Sequence, residues 1–326
     1  MNVYILTEGG NKKGFGHITR CLSLIQAFNK KNIFPTFYID GDNKIESFVS
    51  YRKTIFSNWI HDEEKILSLI TSSDIVIIDS YHASQKFYDK ISQKAKAGVY
   101  FDDYERISYP KGIVIRAGIL SETHISKPKS QTLFLEGHEY IPLRQEFSLV
   151  PKKKIRVEIQ TILLTFGGAD KTNMTATTLH SIQEKYKVHV IVGIGYNKKE
   201  ELVQLKNNKT KLYFSPSAEE IKKLMLNSDI AISAGGQTLF ELIRVGIPII
   251  AIATADNQVN NIASLISANI IAYAGTYNDS SLKNALETKI AYFKSHKTRQ
   301  KHSDLGRKYI DGLGSKRIVE EILHNY

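Results

Sequence analysis

Short runs of Val, Ile, Leu and aromatic residues recur along this chain, separated by segments in which apolar residues return every third or fourth position. In the first half the continuous runs are "VYILT", "PTFYID", "DIVIID", "AGVYFDD" and "GIVIRAG". Between them, residues 17–31, "DEEKILSLIT" and "SQKFYDKISQKA" read as amphipathic helices. In the first of these, Ile18, Cys21, Leu22, Ile25 and Phe28 form the apolar stripe. Apolar strands alternating with helices predict an α/β fold whose parallel sheet is covered on both faces. The pattern restarts in "IQTILLTFGG", "KVHVIVGIG", "KLYFSP", "DIAISAGG", "IPIIAIA" and "IIAYAG". Between the halves lies the charged stretch "EYIPLRQEFSLVPKKKIRVE", with Pro142 and Pro151. The predicted division is therefore 1–150 and 151–326, two Rossmann-like domains facing a central cleft, a partition suited to 326 residues. The closing helical segment breaks at Asp311-Gly312-Leu313-Gly314, and its last helix is expected to return to the first domain.

Glycines or acids follow many strand ends: Gly9, Gly10, Asp79, Asp102, Asp103, Gly167, Gly168, Gly235 and Gly236. In doubly wound sheets ligands sit beyond the carboxyl ends of the strands, so these loops are the place to look for chemistry. The first, "EGGNKKGFGHITRCLSLIQAF" at residues 8–28, resembles two phosphate motifs and satisfies neither. A P-loop requires lysine where Phe15 stands, and the dinucleotide fingerprint requires glycine where Thr19 stands. His17 is left in the first turn of a helix, flanked by Gly14 and Gly16. In the second half, "DIAISAGGQTLFELIRVGIPIIAIATADNQVNNIASL" at residues 229–265 runs a strand into Gly235-Gly236-Gln237-Thr238 at a helix start. Paired glycines there let backbone amides approach a diphosphate, and the helix end complements its charge. Glu241, one turn in, suits the two hydroxyls of a ribose; the helix macrodipole alone also favours a glutamate there.

Composition narrows the choice. Hydrophobic residues at 42% and charged residues at 24% are ordinary for a globular protein. A net charge of +11 admits nucleic acid, an anionic membrane or a small anion. The lysines are scattered, however, and no basic helix carries interleaved aromatics, so a solvated surface is the expectation and nucleic acid is not an expected partner. Cys21 is the single cysteine, which excludes a disulfide framework and a thiolate metal cluster. No HExxH or CxxC spacing occurs, and neither a metal nor a cofactor is expected. "MNVYILTEGG" lacks a signal-peptide pattern and no apolar run nears the roughly 20 residues of a membrane span, so a cytoplasmic location without membrane insertion is expected. Asp40-Gly41-Asp42 spells a DxD but reads as a turn after a strand. Asp102 and Asp103, adjacent at a strand end, should point in opposite directions and not share a site. His82 is expected to be structural.

Taken in order, "GFGHITRCLSL", "IIDSYHAS", "YFDDYERISYP", "PLRQEF", "TFGGADKTN", "ISAGGQTLFEL…GIPIIAIATADNQ" and "DGLGSKRI" resemble the GT-B superfamily of nucleotide-sugar enzymes. Within it the chain is similar to the hydrolases of pseudaminic-acid biosynthesis and their spore-coat-polysaccharide relatives. The resemblance covers most of the chain and implies a GT-B fold with a UDP-sugar substrate. It implies His17 as the base that activates water, with Tyr81 and Asn257 also catalytic. Gly14, Gly16, Arg20, Gly167, Gly168, Gly235, Gly236, Gln237, Thr238, Glu241 and Gln258 would bind substrate. A helix N-terminus is expected to lower the His17 pKa and keep the ring neutral. A monomer is compatible with a chain of this kind.

Two rival functions remain at this level. A glycosyltransferase on the same scaffold would hand the sugar to an acceptor hydroxyl, and fold alone does not separate it from a hydrolase. A nucleotide-sugar-binding module without turnover is the other.

Overall fold

The computed structural model describes residues 1–11, 13–42, 45–46, 48–118 and 131–326. The chain divides into two compact units, one formed by Met1–Gln145 with Leu313–Tyr326 and the other by Glu146–Gly312.

In the first unit the strands are β1 (Val3–Gly9), β2 (Thr36–Gly41), β3 (Thr54–Phe56), β4 (Ile75–Asp79), β5 (Ala97–Phe101), β6 (Gly112–Ala117) and β7 (Thr132–Gly137). They form one sheet in the order β3-β2-β1-β4-β5-β6-β7, and every pairing is parallel. The central strands β4 and β5 are buried at every position, which is why their sequences are unbroken apolar runs. Helices α1 (Gly16–Asn29), α2 (Glu63–Leu69) and α3 (Gln85–Lys94) connect the strands. One core joins Leu6, Val76, Ile78 and Tyr100 of the sheet to Trp59, Ile66, Phe87 and Ile91.

Leu22, expected on the apolar stripe of α1, is only partly buried, whereas Ser23 and Leu24 are buried. The reason is a second neighbour. Helix α11 (Gly314–Asn325) packs along α1, and Ser315 Oγ lies within hydrogen-bond distance of Ser23 Oγ at 3.0 Å and of the Leu143 carbonyl at 3.1 Å.

The second unit has a six-stranded sheet of β8 (Thr161–Thr165), β9 (Lys187–Val192), β10 (Thr210–Phe214), β11 (Ile230–Ala234), β12 (Ile249–Ala253) and β13 (Ala272–Thr276). Their order is β10-β9-β8-β11-β12-β13, again parallel throughout. Helices α4 (Met174–Ile182), α5 (Lys199–Leu205), α6 (Ala218–Asn227), α7 (Gln237–Val245), α8 (Val259–Ser267), α9 (Leu282–Tyr292) and α10 (His296–Tyr309) complete it. Both sheets have the doubly wound order, and each has a switch point at which successive connections depart in opposite directions. It lies between β1 and β4 in the first unit and between β8 and β11 in the second.

Candidate active site

At the first switch point, Thr7 of β1 pairs with Asp79 of β4. Beyond β1 the chain closes a tight loop, the amides and carbonyls of Gly10 and Gly14 exchanging hydrogen bonds of 2.8 and 2.7 Å. Gly14 has φ +86°, and a Cβ built there would touch nothing within 4 Å, so glycine is required by backbone conformation rather than by space. Lys12 of this loop lies outside the described residues. Phe15, buried, packs edge-on to Phe48 at 5.3 Å and anchors the start of α1. That start sets His17 in the first helical turn and Arg20 one turn further on.

His17 Nδ1 lies 2.6 Å from Asp79 Oδ1. The Arg20 guanidinium makes four hydrogen bonds: Nε to Asp79 Oδ2 at 2.8 Å, Nη2 to Asp79 Oδ1 at 2.6 Å, Nη1 to Asp103 Oδ1 at 2.7 Å and Nη2 to Asp103 Oδ2 at 3.1 Å. It also lies over the Phe101 ring at 4.5 Å. Tyr81 donates its hydroxyl to Asp103 Oδ2 at 2.5 Å, and its ring meets that of His17 edge-on at 4.3 Å. His17, Asp79, Arg20, Asp103 and Tyr81 thus form a closed ring of contacts.

The electrostatics follow from that closure. Burial works against the His17 imidazolium, but the charge and hydrogen bond of Asp79 outweigh it and raise the pKa above the usual 6.5. This reverses the expectation of a lowered value, because a carboxylate in contact outweighs a helix end. Burial pushes the Asp79 carboxyl up; Arg20 and His17 more than offset it and hold the group well below the carboxylate range. Asp103 is lowered in the same way, against burial and chiefly by Arg20. Tyr81 is raised by burial and by Asp103, so it stays a phenol at neutral pH. With Asp79 accepting from Nδ1–H, neutral His17 keeps the lone pair of Nε2 free to take a proton. Two carboxylates and one guanidinium leave one negative charge in excess, which protonation of His17 cancels.

Arg20, expected to contact substrate, directs four hydrogen bonds at two aspartates. Asp102 and Asp103 take different partners, Asp102 accepting from Arg116 Nε at 2.8 Å. Asp42 accepts from the Asn11 amide at 2.7 Å, fastening the loops after β1 and β2.

In the second unit both expected glycine loops flank the switch point. After β8, Gly167 has φ +80°, and the Gly168 carbonyl accepts from the Gly195 amide at 2.8 Å. The N-terminus of α4 that follows is closed by the chain itself: the Asp170 carboxylate accepts from the Met174 and Thr175 amides at 2.9 and 2.8 Å. Helix α7 begins after Gly236, an N-cap residue with no side chain of its own. Gly235 and Gly236 have separate reasons to be glycine. A Cβ on Gly235 would stand 2.6 Å from Ile262 Cδ1 and 3.0 Å from Gln258 Cβ, whereas one on Gly236 would meet nothing within 4 Å. The Gly235 amide, expected to face a diphosphate, donates to Gln258 Oε1 at 3.1 Å. The same oxygen accepts from the Thr254 amide at 3.0 Å, so the Gln258 carbonyl ties the loop together rather than facing outward. Gln237 and Thr238 form the first turn of α7, Glu241 is buried on that helix at 1% exposure, and Asn257 is exposed. The first unit therefore gathers Gly14, Gly16, His17, Arg20 and Tyr81, and the second gathers the remaining expected residues. Among the described residues no group of three or more His, Cys, Asp or Glu side chains could hold a metal ion.

Residues 161–309 match the glycosyltransferase family 28 C-terminal domain. An uncharacterized protein of Methanocaldococcus jannaschii is 29% identical over 273 residues, 77% of this chain and 55% of that protein. The Helicobacter pylori pseudaminic acid cytidylyltransferase and UDP-2,4-diacetamido-2,4,6-trideoxy-β-L-altropyranose hydrolase is 26% identical over 290 residues, 87% of this chain and 49% of that protein. The Bacillus subtilis spore coat polysaccharide biosynthesis protein SpsG is 24% identical over 272 residues, 79% of each chain. The chain spans about half the length of the archaeal and Helicobacter relatives. Among solved structures, Acinetobacter baumannii MurG superimposes with a TM-score of 0.67 at 11% identity, over 99% of this chain and 100% of that one. The Neisseria meningitidis UDP-GlcNAc 2-epimerase does so with a TM-score of 0.64 at 14% identity, over 100% of each. Both likenesses are of fold. No helix among the described residues is long and apolar enough to cross a membrane.

Proposed function

This chain belongs to the family that includes the Helicobacter pylori hydrolase and SpsG, within the GT-B superfamily, and from that premise we propose that it hydrolyses a UDP-linked diacetamido-trideoxy sugar at the anomeric carbon. Water attacks that carbon, the new C–O bond forms as the bond to the β-phosphate oxygen breaks, and the electron pair leaves on UDP. His17 Nε2 takes the proton of the attacking water. Direct displacement inverts the anomeric configuration.

The observation that carries this reading is the 2.6 Å hydrogen bond from His17 Nδ1 to Asp79. It fixes the tautomer and orientation of the ring and stabilises the imidazolium that proton transfer creates. Tyr81, held as a phenol by Asp103, offers its oxygen lone pairs to a sugar hydroxyl or to the water. In the second unit, the N-terminus of α7, preceded by Gly235 and Gly236, suits the diphosphate and the departing charge. Glu241 takes the ribose, and Asn257 takes polar groups of the sugar.

A transferase is the second reading, favoured by the match of residues 161–309 to a glycosyltransferase domain. The test is to incubate purified protein with UDP-2,4-diacetamido-2,4,6-trideoxy-β-L-altropyranose and no acceptor. Hydrolysis yields UDP and free sugar in equal amounts; turnover only with an added acceptor supports the transferase.

A further inference from the structure

The carboxylate that ends β4 holds a histidine that follows β1. The reverse arrangement lies beside it: Glu8, at the end of β1, accepts from Nδ1 of His82, which follows β4, again at 2.6 Å. Glu8 is 2% exposed, while the His82 side chain is 57% exposed. The same Glu8 oxygen also accepts from the Tyr81 amide at 2.9 Å, and the other oxygen accepts from Ser80 Oγ at 3.1 Å. Lys13 Nζ, 3.7 Å away, partly balances the charge.

A histidine needed only to fill a surface loop has no use for a buried carboxylate behind it, since burying that charge is costly unless it is fully hydrogen-bonded. Here the cost serves to set two neighbours at once, Tyr81 through its backbone and His82 through its ring. With Nδ1–H directed at Glu8 the tautomer is fixed, and Nε2, across a ring whose side chain is 57% exposed, is left as an acceptor. Tyr81, adjacent in sequence, already touches the His17 ring. We propose that His82 is a further substrate-contacting residue of this site, its Nε2 hydrogen-bonding a polar group of the sugar. The assignment deepens the hydrolase reading and rests on it.

An asparagine separates a structural role from this one, because its amide nitrogen can replace Nδ1 toward Glu8 while nothing replaces Nε2. Affinities for UDP and for UDP-2,4-diacetamido-2,4,6-trideoxy-β-L-altropyranose are measured by calorimetry in a His17→Asn background, so that the sugar nucleotide persists. His82→Asn is expected to leave the melting temperature and UDP affinity unchanged and to weaken binding of the sugar nucleotide roughly tenfold, the scale of one lost hydrogen bond. His82→Gln, whose longer amide reaches toward the Nε2 position, should recover part of that loss. Unchanged sugar-nucleotide affinity in His82→Asn overturns the assignment alone. A parent protein that binds the sugar nucleotide no better than UDP overturns both the assignment and the hydrolase reading beneath it.

Discussion

Asp79 Oδ1 lies 2.6 Å from Nδ1 of His17, joining a strand end to a helix start that are 62 residues apart in sequence. Replacing Asp79 by Asn keeps the shape and removes the charge that favours the imidazolium. Asp79→Asn is expected to lower kcat by about 10²–10⁴, the usual worth of a positioned general base. It should also move the acid limb of the pH profile to lower pH, because the main group raising the His17 pKa is gone. Steady-state kinetics across pH check both effects; a variant with normal kcat would free Asp79 from the reaction.

In the unaltered protein the same carboxylate sets the pH dependence. The base is active when neutral, and its pKa is raised above 6.5. The value of kcat/KM should therefore climb with pH through an apparent pKa above 6.5 and level off on the alkaline side. Tyr81, whose pKa is also raised, should contribute no alkaline fall near neutrality. A plateau already complete at pH 6 would contradict the Asp79 contact.

Arg20 offers a test of stability. Its guanidinium is buried against Asp79 and also pairs with Asp103, so removing it leaves the buried Asp79 carboxylate and the solvent-accessible Asp103 with one cation fewer. Arg20→Met is expected to cost about 3–5 kcal/mol, read as a lower urea midpoint at pH 7. The penalty should shrink in acid. Both carboxyl pKa values are depressed in the folded protein, so their contribution is full above the unfolded value of roughly 4 and is lost as pH falls through the folded ones. The His17 contribution has the opposite sign: it is full below 6.5 and is lost as pH rises through the raised value.

The two adjacent glycines before α7 should fail differently. Gly235→Ala meets Ile262 and Gln258 and is expected to lower the melting temperature. Gly236→Val has open space and an ordinary backbone conformation, with φ −90°, so folding should be preserved. A branched side chain at this helix start should nevertheless weaken UDP binding by tenfold or more. Equal losses of stability in the two variants would argue that neither glycine faces a ligand.

The parallel strands of both sheets were legible because buried β-branched runs have no other common explanation. Two strands escaped. β3 has three residues, none of them buried, and β7 mixes exposed and buried positions; neither produces a continuous apolar run. For the site, the glycine-flanked turn and the helix period single out His17. Its partner was not legible, because Asp79 reads as one of several acids at strand ends until the sheet order sets β4 beside β1. The partners of Arg20 were not legible either: a basic residue near a phosphate-like loop suggests ligand contact, and only the fold shows its guanidinium paired with two aspartates. Gln258 is similar: an amide suited to sugar hydroxyls uses its oxygen on the Gly235 loop.

The attack of water on the anomeric carbon is tested most directly by running the acceptor-free reaction in ¹⁸O-labelled water and weighing both products. The expected result is one label in the sugar at C1, none in UDP, and an inverted anomeric signal in the first NMR spectra. Label in the UDP phosphate, or product formed only when an acceptor is supplied, would contradict hydrolysis at the sugar carbon.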